Sequence, residues 1–226
     1  MNIALILAAG KGTRLGNKIP KQFLKVDNKP IFIYTLETFN NCKEIDSILV
    51  VANKEYFPLI RENAEAYGIN KFRGIIPGGE TRQQSVKNGL DYISSVAKAN
   101  DIILIHDSAR AMVSEEIITA NIEAMRKYDA VTTAIQASDT IVRSKDGKDI
   151  ENTLDRSELY LVQTPQTFRF KIIKEAHEKA INDNSTDDSQ LVRQLGIEVG
   201  IVPGDKNNFK ITTIDDLNNF KKIIKD

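Results

Sequence analysis

The sequence has a single cysteine, Cys42, among its 226 residues. One thiol can form neither an intrachain disulfide nor a C-x-x-C metal or redox pair, which leaves Cys42 the role of a small apolar residue. Histidine is almost as scarce: His106 and His177 are the only two. They give little support to a zinc site or a histidine-based nucleophilic triad, and His106 reads as structural. Charge of either sign is not in excess, because Lys plus Arg and Asp plus Glu each number 31. Overall charge therefore exerts no pull toward nucleic acid or an anionic membrane, and any anion must be bound locally. A long hydrophobic run is also missing. The N-terminal stretch from Ile3 to Ala9 gives way to glycines after seven residues, too short for a membrane span and without the flanks of a signal peptide. These absences and the length predict a cytoplasmic chain of one domain.

What is present alternates. Short apolar runs occupy 2–7, 46–52, 72–77, 101–106, 130–135 and 199–202, and segments of helical periodicity lie near 30–41, 55–66, 81–97, 114–127, 170–181, 187–195 and 213–225. The runs are too continuously apolar for half-exposed strands. The pattern therefore predicts an α/β fold, a Rossmann-like, mostly parallel sheet with helices on both faces. Ligands of such sheets sit at the carboxyl ends of the strands, so the chemistry should follow each run. From about Ser138 to Gln166 the alternation stops. A Lys-Asp-Gly turn signal between strand-like pieces predicts a protruding β-arm, centred on 138–160. An arm that cannot bury its own face needs a partner, which points to a two-fold homodimer.

Gly10 and Gly12 follow the first strand, yet a G-x-G-x-x-G dinucleotide loop would need glycine where Leu15 stands, and no Walker A pattern can be read here. What remains is a small-residue loop, Ala8, Ala9, Gly10 and Gly12, whose backbone can come close to a ligand and present N–H groups to phosphate oxygens. A tight turn with solvated neighbours is the plainer reading. Arg14, a planar fork, and Lys21, a point charge held behind Pro20, favour phosphate. A second glycine pair, Gly78 and Gly79, precedes a helix that Glu80 or Thr81 can cap. Asp107 ends the fourth long run, where a carboxylate can reach a metal bridging phosphates, or can simply pair with Arg110 in a surface turn.

Together these segments resemble the nucleotidyltransferases that activate phosphorylated polyols with CTP, above all the 2-C-methyl-D-erythritol 4-phosphate branch. The resemblance rests on ILAAGKGTRLG and PKQ, GGETRQQSVKNGL at 78–90, HDSAR at 106–110, DT at 139–140, LDRSELYLVQTPQTF at 154–168, STDDS at 185–189 and NFKITTIDDL at 208–217. It implies a CTP-dependent enzyme of isoprenoid precursor synthesis. Arg14, Lys21, Arg156 and Lys210 would be its catalytic cations. The nucleotide would be held by Ala8, Ala9, Gly10, Gly12, Gly79, Glu80, Arg82, Ser85, Asp107 and Ser108, with the Ser85 hydroxyl among the groups reading cytosine. Asp107 would hold Mg2+, and Thr140, Arg156, Thr164, Thr186 and Lys210 would bind the polyol phosphate. The resemblance also implies that the arm, with Thr140 and Arg156, crosses to a neighbouring subunit.

The sequence departs from the pattern at Ala111, where proline is usual after HDxAR, and at Val142 and Arg143, where many relatives carry lysine. The alternative readings are a D-ribitol 5-phosphate or other polyol-phosphate cytidylyltransferase of surface-polymer synthesis, and a nucleotide-binding regulatory subunit. The AAG loop and LDRSELY arm sit closer to the methylerythritol branch. Four retained cations argue against a mere binder, which has no need of groups that act on a transition state.

Overall fold

The computed structural model describes residues 1–10, 19–183 and 185–225. Gly12 and Arg14 lie outside these residues. In chain order the strands are β1 (Asn2–Leu7), β2 (Lys25–Val26), β3 (Lys29–Pro30), β4 (Ser47–Ala52), β5 (Phe72–Pro77), β6 (Ile102–Asp107), β7 (Ala130–Gln136), β8 (Val142–Arg143), β9 (Asn152–Thr153), β10 (Tyr160–Arg169) and β11 (Gly200–Pro203). The α-helices are α1 (Ile31–Asn41), α2 (Phe57–Ala66), α3 (Arg82–Ile93), α4 (Glu115–Ala124), α5 (Phe170–Glu178), α6 (Asp188–Gln194) and α7 (Ile214–Lys225). None is long and apolar enough to cross a membrane.

Seven strands form the main sheet in the order β11-β7-β10-β6-β1-β4-β5. Every pairing is parallel except those of β10, which runs antiparallel to both β6 and β7. The unbroken apolar runs have a direct cause, since successive side chains of a strand point to opposite faces and here both faces are covered. Ala4 and Ile6 of β1 pack in one core with Phe32 and Leu36 of α1 and Ile118 of α4. Ile3 and Leu5 pack in the other with Val86 and Leu90 of α3 and Ile173 of α5. On that second face α3 lies so close to β1 that a Cβ on Gly89 would stand 2.6 Å from the Leu5 side chain. A third, smaller cluster joins Ala111 to Ile211, Leu217 and Phe220.

The helix and strand segments expected from the sequence are present within a few residues of their expected limits. The correction concerns the end of the arm. A small antiparallel hairpin, β8 with β9, does occur, but residues 160–166 do not belong to it. They open β10, which passes through the middle of the sheet. Its Gln163, Thr164, Gln166 and Thr167 are buried, which is tolerable because their polar atoms are paired. Thr167 Oγ1 donates to Asn121 Oδ1 at 3.1 Å, and Gln166 Nε2 donates to Thr132 Oγ1 at 2.9 Å.

From β1 the chain goes to β4 on one side, and β6 later takes the place on the other. The strand order thus reverses between β1 and β6. The crevice beyond their carboxyl ends is where an open sheet of this kind accepts a ligand.

Candidate active site

A cleft of about 290 Å3 opens at that reversal, with Ala9 and Gly10 after β1, Gly79, Glu80 and Ser85 around the start of α3, and Asp107 and Ser108 at the end of β6 on its walls. Lys21, Arg82 and Lys210 bring three cations to the same space. The backbone fixes these loops at their roots: Ala8 N–H donates to Val51 O at 2.7 Å and Ser108 N–H to Leu7 O at 3.0 Å.

Small residues are required where the loops meet. A Cβ on Gly78 would stand 2.5 Å from the Ala9 Cβ, and one on Gly79 would stand 2.4 Å from the Gln84 Cβ. The helix behind them starts on a capping arrangement. Thr81 Oγ1 accepts from Gln84 N at 3.1 Å, which satisfies a first-turn amide that has no partner inside the helix, and Gln84 Oε1 accepts from Glu80 N, just before the cap, at 3.0 Å. Of the two caps the sequence allows, Thr81 is the one used. The Ser85 hydroxyl accepts from Gly79 N at 3.0 Å and donates to Thr81 O at 2.9 Å, which ties the glycine loop to the helix.

Asp107 is the electrostatic centre. Lys210 Nζ stands 2.7 Å from its Oδ2 and Arg82 Nε 3.6 Å from its Oδ1. Burial pushes the carboxyl up, but Lys210 and Arg82 outweigh that and hold it well below the usual carboxylate range. Arg82 is gripped from behind by Asp188 at 2.7 Å, and Asp188 in turn meets His177 Nε2 at 3.0 Å. Burial lowers the Arg82 pKa and the two carboxylates more than restore it, so the guanidinium stays charged. The turn expected at HDSAR is present, with Arg110 N–H donating to Asp107 O at 2.9 Å, but the carboxylate's ion pairs go to Arg82 and Lys210. Arg110 Nη1 instead donates to Asn208 O at 2.8 Å, and Ile211 N–H reaches Ala109 O at 2.9 Å. These bonds dock the NFKIT segment against the end of β6 and aim Lys210 at Asp107.

His106 is fully buried. Its Nδ1 lies 3.1 Å from Thr164 Oγ1 and its Nε2 3.2 Å from Arg110 O. Desolvation brings its pKa down to about 4, so at neutral pH it is an uncharged support for the loop.

A second cavity of about 230 Å3 shares Arg82, Asp107 and Lys210 with the cleft and adds Thr164 and Thr186. The Thr164 hydroxyl also accepts from Asp107 N at 3.1 Å, at the point where the register of β10 shifts and the ladder is interrupted. Two expected residues lie apart. Thr140 is exposed. Arg156 borders a separate surface hollow beside Lys206, with its Nη1 donating to Ser138 O at 2.9 Å.

Several functional neighbours escaped the sequence reading. Gln22 is buried, and its Nε2 donates to Ala8 O at 2.6 Å and Gly10 O at 2.9 Å, clamping the first loop from inside. Its only signal was its place after Lys21 in PKQ. Asn53 on the wall of the cleft gave none. Asp188 was visible only as one of two adjacent acids in STDDS.

A carboxylate ringed by cations and flanked by two glycine-tight loops at a switch point can orient a nucleoside triphosphate and offset charge built on its phosphates. Fold and site together define a nucleotidyltransferase. The family model described as IspD, 2-C-methyl-D-erythritol 4-phosphate cytidylyltransferase, matches residues 2–226, and the chain belongs to that family. It is 43% identical over 217 residues to the 2-C-methyl-D-erythritol 4-phosphate cytidylyltransferase of Geobacter metallireducens, covering 95% of this chain and 93% of that one. The enzyme of that name from Syntrophus aciditrophicus is 40% identical over 218 residues, 95% of this chain and 92% of its own length. Among solved structures, the 4-diphosphocytidyl-2C-methyl-D-erythritol synthase of Anaerococcus prevotii superposes with a TM-score of 0.85 at 32% identity, covering 100% of this chain and 96% of that one. The Francisella tularensis 2-C-methyl-D-erythritol 4-phosphate cytidylyltransferase gives 0.80 at 31% identity, covering 97% and 99%.

Proposed function

We propose that this chain transfers the cytidylyl group of CTP to 2-C-methyl-D-erythritol 4-phosphate, giving 4-diphosphocytidyl-2-C-methyl-D-erythritol and pyrophosphate. The observation that carries the reading is the gathering of Lys21, Arg82, Asp107 and Lys210 around one cleft, in a chain whose family model spans residues 2–226. A phosphate oxygen of the acceptor attacks the α-phosphorus, the bond to the bridging oxygen breaks, and its electron pair leaves with pyrophosphate. The attacking phosphate is already a nucleophile, so the protein's task is orientation and charge compensation.

In this reading Ala9 and Gly10 offer backbone N–H groups to the triphosphate while Ala8, whose N–H is bonded to Val51 O, anchors the loop, Lys21 neutralises the departing pyrophosphate, and Gly79, Glu80 and Ser85 face the base. Ser108 completes the nucleotide side. Lys210 spans the cleft and the second cavity, which suits it to draw the two phosphates together. Thr164 and Thr186 lie on the acceptor side. Arg14 and Gly12, outside the described residues, belong with the triphosphate by sequence. A divalent ion fits the donor set. Asp107 supplies one ionised carboxylate, and no cluster of three or more metal-ligating side chains occurs among the described residues. A Mg2+ held by Asp107 would take its other ligands from phosphates and water and would neutralise phosphate charge.

Arg156 and Thr140 fit this scheme as contributions to a neighbouring subunit's acceptor site. Support for a homodimer comes from the exposed apolar side chains of the hairpin and its base, Val142, Ile150, Tyr160, Leu161 and Val162. A cytoplasmic setting is where both substrates of such a step are expected. The deciding experiment is pyrophosphate release with CTP and Mg2+, comparing 2-C-methyl-D-erythritol 4-phosphate with D-ribitol 5-phosphate. Faster turnover of the first is expected. Preference for ribitol phosphate would keep the mechanism and change the acceptor, and no release with either would leave a nucleotide binder.

A further inference from the structure

The first turn of α3 carries three consecutive side chains, Arg82, Gln83 and Gln84, that reach the first residue of α6 or the connection leading to it from α5. Arg82 does so through Asp188. Gln83 is 2% exposed and lines neither cavity. Its amide works as a piece of backbone would: Nε2 donates to Asn182 O at 2.8 Å, and Oε1 accepts from Ser185 N at 2.9 Å. Gln84 faces two ways, its Oε1 accepting from Glu80 N at 3.0 Å and its Nε2 donating to Asp183 Oδ2 at 2.8 Å. Beyond these bonds Ser185 Oγ donates to Asp187 O at 2.7 Å, and Thr186, between the two, borders the second cavity.

We infer that Gln83 and Gln84 are positioning residues that hold the acceptor side of the site in register with the nucleotide side. This rests on the assignment of CTP to the cleft and of the polyol phosphate to the second cavity. Neither glutamine lines the cleft or the second cavity, so neither contributes binding energy there directly. Each fixes residues beside one that does: Gln83 holds Asn182 and Ser185, the latter next to Thr186, and Gln84 clips Asp183 to the Gly79-Glu80 loop. An amide is needed at both places, because each position must donate on one side and accept on the other. A buried amide with both ends satisfied holds its partners in a single arrangement. Reacting groups displaced by about 1 Å lose rate out of proportion to the contact removed.

The two residues give separable expectations. Gln83→Leu keeps the bulk and removes both bonds. It should raise KM for the polyol phosphate about tenfold while KM for CTP stays within about twofold. Gln84→Ala, on the half-buried side of the helix, should raise both KM values about fivefold, since it frees the nucleotide loop and the acceptor segment together. A role in stability alone would lower the melting temperature and leave both constants of the folded fraction unchanged. The test is steady-state pyrophosphate release with each substrate varied in turn, beside a thermal melt of each variant.

A cooperative melt with wild-type KM for the polyol phosphate in Gln83→Leu overturns the inference. If that variant does not fold, Gln84→Ala decides alone, and unchanged constants there overturn it equally. The wild-type protein run in parallel separates the two levels. Its failure to turn over removes the functional reading, whereas normal wild-type turnover with unaltered variants removes only the role of the glutamines.

Discussion

Lys210 stands 2.7 Å from Asp107, with its side chain 39% exposed. It faces a buried carboxylate, and in the proposed reading it lies where the two phosphates meet. Lys210→Ala should therefore lower kcat/KM at least about a hundredfold, roughly 3 kcal/mol of transition-state stabilisation, while the protein still folds, with some loss of stability because Asp107 loses a charge partner. Near-normal pyrophosphate release from a folded variant would remove the role given to this cation. His106 makes a prediction about pH. The unfolded chain takes up a proton on this ring below its ordinary value of 6.5, whereas in the fold desolvation delays protonation until about 4. Between those values the unfolded state binds more protons, so stability is lost as pH falls from 6.5 toward 4. From pH 7 to pH 5 the loss is about 2 kcal/mol. Urea unfolding of wild type and His106→Gln at those two pH values should show the extra loss in the wild type only, and parallel losses would assign the acid sensitivity elsewhere.

At the scale of elements, α4 is tied to the sheet by a polar knot. Asn121 Nδ2 donates to Thr133 Oγ1 at 2.9 Å, its Oδ1 accepts from Thr167, and Thr133 Oγ1 donates to Pro165 O at 2.7 Å. Asn121→Ala leaves the Thr167 hydroxyl without this partner and should cost about 2–3 kcal/mol by urea denaturation; a loss under about 0.5 kcal/mol would show that the knot is replaceable. The same knot explains what the sequence concealed. The apolar runs of β1, β4 and β6 were legible because both faces are covered and no polar residue intervenes. In β10, YLVQTPQTFR carries polar side chains and a proline through the sheet, and only partners distant in the chain, such as Asn121 and Thr132, make their burial tolerable. Local pattern therefore reads this strand as arm. The site was legible in the same measure. The glycine loops, Asp107 and Lys210 stand next to predicted strand ends or motifs, and they converge. Gln22 and Asp188 act through contacts that no spacing records, and Arg156 and Thr140 fall outside the cleft of a single chain.

For the whole molecule, the proposed homodimer is the property to measure. Sedimentation equilibrium should give about twice the mass of one chain. Replacing residues 141–154 by a short linker should give a monomer that still binds CTP and turns over poorly. A wild-type monomer would withdraw the shared site. The order of the sheet has a consequence for how the protein comes into being. β5, β4, β1 and β6 are adjacent in the sheet and all lie before residue 108, whereas β7 and β11 connect to them only through β10. A chain emerging from the ribosome can thus assemble its nucleotide loops while the strand that joins the other half is still unmade, and Lys210 follows later still. An interrupted chain would hold half a cradle with an open β6 edge and without Lys210, so that readiness for the proposed chemistry waits on the segment that carries this lysine.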